Sequence, residues 1–136
     1  MAARRYEDLE AWQLADELKR EVYALIATGP ASNDFEFRGQ IRDSAASNSK
    51  NIVEGFGRFR PADFARFMEF AVASAMETKD SIKDGVDRGY FTPDRALRAR
   101  TLAERSIQCS TKLIVYLKSC GRDKTGRRTR NDQRMP

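Results

Sequence analysis

Residues 61–86 read PADFARFMEFAVASAMETKDSIKDGV. Apolar and small side chains recur there at Phe64, Phe67, Met68, Ala71, Ala75, Thr78, Ile82 and Val86. Steps of three and four put them on one face of an α-helix, and strand-period alternation is absent. Pro61 suits a first helical turn, where its missing N–H costs nothing. The stretch predicts one helix of about 27 residues, roughly 40 Å long. Such a helix cannot cover its own apolar face, so the segments on either side decide the fold.

Downstream, Gly89 ends the helix, and Thr92-Pro93-Asp94 reads as an N-cap followed by proline at the first position. A last helix is expected from Pro93 to about Ser119, through Leu97, Leu102, Ile107, Leu113, Ile114 and Leu117, with Gly121 closing it. Upstream, a helix is expected from about Phe37 to Phe56. Its stripe is Ile41, Ala45, Asn48, Ile52 and Phe56, with Val53 and Phe59 beside it. The first helix runs from about Leu9 to Thr28 on Leu9, Trp12, Ala15, Leu18, Val22, Leu25 and Ile26. Gly29-Pro30 stops it, and a short loop is expected through Ala31-Ser32-Asn33-Asp34.

Long amphipathic helices joined by short loops predict an all-α, antiparallel up-down-up-down four-helix bundle over residues 1–120. Residues 121–136 form a basic tail. From Arg122 it carries six basic and two acidic side chains and a single apolar one, Met135. Too little apolar surface is present there to offset ordering entropy, so disorder is expected.

Composition narrows the chemistry. The chain has 136 residues, 40 % hydrophobic and 33 % charged, which suits one domain with a real core. Its apolar runs are too short to span a membrane. The start, Met1-Ala2-Ala3-Arg4-Arg5, has no apolar stretch behind its basic pair, so a cytoplasmic location is expected. Histidine is absent. That removes Cys/His zinc sites and Ser-His-Asp or Cys-His chemistry. Cys109 and Cys120, on one helix, stand about 16 Å apart. A disulfide needs Cα atoms within about 7 Å, so both are expected as small hydrophobes.

Glu54 and Glu77 lie on or near apolar faces. A di-iron bundle needs Glu-x-x-His on two helices, which this sequence lacks. Each glutamate is expected to pair with an arginine or a neighbouring helix. Asn48, Ser49 and Asn51 make a polar patch expected to fix register or to bond a neighbour. Gly55-Phe56-Gly57-Arg58 follows a helix and lacks the Lys-Ser/Thr of a phosphate loop. Its glycines suit a sharp turn or close helix approach. Trp12, Phe35, Phe37, Phe64, Phe67 and Phe70 are expected in the core or a subunit interface. No cofactor, no metal and no enzymatic activity are expected.

Charge is sorted along the chain. Residues 1–40 hold five basic and eight acidic side chains, and residues 61–90 hold four and six. Residues 91–120 hold six and two. Within the last helix Arg98, Arg105 and Lys112 recur every seven residues and form one basic line, with Arg95 close by. Arg58 and Arg60 sit in the loop after the second helix. A line of cations at about 10 Å pitch suits a phosphate backbone. A solvated face, or pairing with acidic neighbours in an oligomer, explains the same pattern.

Several pieces together resemble a known family. They are Tyr6-Glu7-Asp8-Leu9-Glu10-Ala11-Trp12-Gln13, Gln40-Ile41-Arg42, Asn51-Ile52-Val53-Glu54-Gly55-Phe56-Gly57-Arg58, Phe64-x-x-Phe67, Ala71…Ser74…Glu77 and Gly89-Tyr90. In order and spacing they resemble the 23S rRNA intervening sequence proteins, over roughly Tyr6 to Leu117. The resemblance implies an up-down-up-down bundle that assembles as a ring-like homopentamer. It also implies kinship with the accessory protein of diversity-generating retroelements, a basic pentamer that engages a reverse transcriptase and nucleic acid. Members of the family have no established enzymatic activity. The chain departs from the pattern at Asn48-Ser49, where an apolar residue and proline are frequent, and at Ala73, where glycine is frequent.

Two functions follow as expectations. The first is a non-enzymatic oligomer that binds RNA or DNA, RNA foremost, through Arg58, Arg60, Arg95, Arg98, Arg105 and Lys112. The alternative is a structural or adaptor oligomer whose partner is another protein, such as a reverse transcriptase.

Overall fold

The structure is a computed structural model and describes residues 3–120. The helix stop expected at Gly121 and the basic tail from Arg122 lie outside the described residues. A 3-10 turn at Tyr6–Asp8 leads into α1 (Glu10–Ile26). Then follow α2 (Pro30–Asn33), α3 (Phe35–Phe56), α4 (Pro61–Asp87) and α5 (Pro93–Ser119). Among the described residues the fold is all-helical, without strands.

The helix boundaries have local causes. Pro61 and Pro93 open α4 and α5 at the first turn. The Thr92 hydroxyl accepts from the Arg95 N–H at 3.2 Å, and Asp34 Oδ1 accepts from the Phe37 N–H at 3.1 Å. Each satisfies one of the donors a helix start leaves open. Gly29 and Gly89 take φ of 74° and 78°, values that suit glycine at a reversal. The expected loop at Ala31–Asp34 is different in the structure. Pro30–Asn33 makes one helical turn, and Ala31 is buried in the core. Proline at a first helical position started that turn as readily as it stopped the helix before it.

The long helices meet in pairs: α3 with α4, α4 with α5, α5 with α1, and α1 with α3. Three of these pairs run in opposite directions, as their contacts show. Ser44 and Ser47 on α3 meet Thr78 and Ser74 on α4. Glu69 and Lys79 on α4 meet Lys118 and Glu104 on α5. Glu17 and Ala24 on α1 meet Arg98 and Arg95 on α5.

The core is in two parts. One gathers Leu14, Leu18, Val22 and Leu25 of α1 with Phe37, Ile41, Ile82, Phe91 and Leu102. The other gathers Ala11 and Ala15 with Ile52, Phe64, Met68 and Leu117. Between them lie buried Ser44, Asn48, Thr78, Ser106 and Ser110. The Thr78 hydroxyl stands 2.9 Å from the Ser44 hydroxyl, and Asn48 Nδ2 donates to Ser106 Oγ at 3.2 Å. Of the polar patch expected at Asn48, Ser49 and Asn51, only Asn48 bonds a neighbouring helix; Ser49 donates to the Ala46 carbonyl and Asn51 to Ser47, both within α3.

Close approach is set by glycine at two places. A Cβ on Gly55 would stand 2.9 Å from Phe64 Cδ1 and 2.9 Å from Phe67 Cβ, so α4 could not sit where it does. A Cβ on Gly85 would collide with the Phe91 ring. Phe35 and Phe70, expected in the core or a subunit interface, are 74 % and 44 % exposed and lie outside the core, and a position on the α5 stripe is corrected as well: Leu97 is 59 % exposed. Its neighbours Ala96 and Ala99 face inward instead, and at about 100° per residue Leu97 cannot share their face.

Candidate nucleic-acid interface

Six cations were expected to contact phosphate, and the structure divides them. Arg98 lies on α5 beside α1. Its Nε stands 3.6 Å from Glu21 Oε2, and its Nη2 3.8 Å from Glu17 Oε2. Arg58 is held by its own helix end. It donates to Glu54 Oε1 at 2.6 Å, and its guanidinium lies 4.6 Å over the Phe67 ring. Arg95 reaches back to the Ala24 carbonyl at 3.4 Å. These three already have partners within the chain.

Arg60, Arg105 and Lys112 do not. All three are exposed, and none makes an ion pair among the described residues. Arg105 and Lys112 are two turns apart on one face of α5. The thiol of Cys109 lies between them in sequence and registers both. Burial pushes that thiol up and Glu10 adds to the rise, while Lys112 and Arg105 pull it down. Arg60 is at the N-cap of α4 and makes no side-chain cap bond. A cation there meets the positive pole of the helix, which favours an anion close to it.

Phe59 was not singled out as a functional candidate in the sequence. It is 69 % exposed between Arg58 and Arg60. The available signal was an aromatic flanked by two arginines, a pattern that suits stacking on a base. The charge sorting is also partly internal. Lys118 pairs with Glu69 at 2.7 Å and Lys79 with Glu104 at 3.5 Å. With the Arg98 pairs, these contacts bind the basic α5 to the more acidic α1 and α4 of the same chain.

Glu54 and Glu77 are both exposed, and Glu54 pairs with Arg58 at 2.6 Å. Among the described residues no group of three His, Cys, Asp or Glu side chains is placed to hold a metal. Cys109 and Cys120 are free. Among the described residues no helix is long and apolar enough to cross a membrane.

Known proteins share the family and the fold. The family described as 23S rRNA-intervening sequence protein has a sequence model that matches residues 7–112. One similar solved structure is a protein of unknown function from the S23 ribosomal protein family of Bacteroides thetaiotaomicron. It is 20 % identical, with a TM-score of 0.68, and the match covers 80 % of this chain and 99 % of that one. No curated protein matches the chain.

Proposed function

The chain belongs to the 23S rRNA-intervening sequence protein family, and from that premise we propose a non-enzymatic nucleic-acid-binding oligomer. Its unit is an up-down-up-down four-helix bundle, and its assembly is a homopentamer. RNA is the preferred ligand, and the setting is the cytoplasm. The carrying observation is that Arg105 and Lys112 share one exposed face of α5 with no carboxylate partner among the described residues. Unpaired cations at that spacing neutralise phosphates and carry no sequence code. Arg60 adds a third charge, and Phe59 offers a ring for stacking on an unpaired base.

A fluorescence titration with single-stranded RNA tests this. Arg105→Glu/Lys112→Glu should weaken binding at least tenfold. Arg98→Glu should weaken it less, since Glu17 and Glu21 already offset that cation. Equal binding by the double variant and the parent contradicts the reading.

A second reading has its own observation. Leu97 and Val115, 59 % and 66 % exposed, lie outward on α5, which suits a protein partner, of which a reverse transcriptase is one candidate. Light scattering at low and high salt, with no retained RNA in either, would favour that adaptor.

A further inference from the structure

The polar layer between the two cores leaves two groups unmatched. Asn48 on α3 is 0 % exposed and Ser110 on α5 is 1 % exposed. Asn48 Nδ2 donates to Ser106 Oγ at 3.2 Å. Its Oδ1 has no hydrogen-bond partner among the described residues, and neither has Ser110 Oγ. Turning the Asn48 amide over does not remove the mismatch. The oxygen would then accept from the Ser106 hydroxyl, and the NH2 would be left bare. Folded proteins rarely leave such groups without a partner, and a buried water is the usual one.

The placement suits one water. Ser110 follows Ser106 by four residues, so their hydroxyls stack on one face of α5, about 6 Å apart along the axis. Asn48 is tied to the first of them. A water bonded to both open groups at about 2.8 Å each spans most of that height. One turn before Asn48 and Ser106 the buried positions are small, Ser44 and Ala45 on α3 and Ala103 on α5, while Ile52 one turn after Asn48 is large. Branched aliphatic side chains at the small positions would fill the space.

We propose that Asn48 and Ser110 hold a single internal water that bridges α3 to α5. The Asn48 oxygen accepts from it, and the Ser110 hydroxyl completes its bonding. The bridge lies between the two apolar cores and adds to the direct Asn48–Ser106 bond between the same two helices. A polar contact at such a level sets register, as a lone asparagine does in a helical seam.

Water-oxygen magnetic relaxation dispersion detects waters held far longer than surface hydration. The parent protein should show one slow water more than Asn48→Leu/Ser110→Ala. Ser110→Ala alone should shorten that water's residence. If the double variant does not fold, the single one carries the test. Identical dispersion in the parent and Ser110→Ala overturns the proposal. So does a crystal structure in which protein groups bond both open atoms.

Discussion

The carboxylate of Asp34 accepts from three directions. Tyr90 Oη donates at 2.6 Å, the Phe37 N–H at 3.1 Å and Arg88 Nη1 at 3.3 Å. These bonds, led by Tyr90, hold its carboxyl below the usual carboxylate range. A group depressed on folding adds stability above its unfolded pKa of about 3.9. That stability is lost as pH falls through the lower folded value. Asp34→Asn cannot ionise. Urea denaturation should therefore find the parent more stable at neutral pH, with the gap closing in acid. A gap that does not change with pH would contradict this role. Two glycines give a second contrast. Gly55→Ala forces a Cβ to within 2.9 Å of Phe64 and Phe67 and should cost about 1–3 kcal/mol. Gly39→Ala meets nothing nearer than Arg42 Nη2 at 3.9 Å and should stabilise by about 0.5–1 kcal/mol. Thermal melts of the two variants should move in opposite directions.

Among the elements, α5 separates periodicity from packing. Its start and end were legible, because Thr92-Pro93 caps it and the apolar spacing runs to Leu117. Its inward face was not. Leu97 looked like a core residue by composition, yet Ala96, Ala99 and Ala103 are the buried side chains there. Alanine is a weak hydrophobic signal, and only the close approach of a neighbouring helix makes it core. Leu97→Gln should change stability by less than about 0.5 kcal/mol. Leu102→Ala, from a site 2 % exposed, should cost about 2–5 kcal/mol. Comparable losses from both would mean that α5 is rotated from the face described. The turn at Pro30–Asn33 was hidden for another reason. Four residues carry no period, and a proline after glycine marks a helix start and a helix stop alike.

At the scale of the molecule, sequence spacing located the cations but could not assign their partners. Arg98, Arg105 and Lys112 look equivalent at seven-residue steps. Pairing depends on which carboxylates the adjoining helix presents, and α1 presents Glu17 and Glu21 only at the height of Arg98. The same limit hid Phe59, whose exposure depends on how the loop between α3 and α4 turns. The family and the all-helical fold were readable because they rest on order and period, which a sequence carries directly. The central claim is that Arg105 and Lys112 bind phosphates. The salt dependence of RNA affinity tests it most directly, since each phosphate contact contributes about 0.7 to the slope for a single strand. Replacing both with alanine should lower the magnitude of the slope of log K against log salt by about 1.4. An unchanged slope, or no RNA binding by the parent at low salt, would contradict the account.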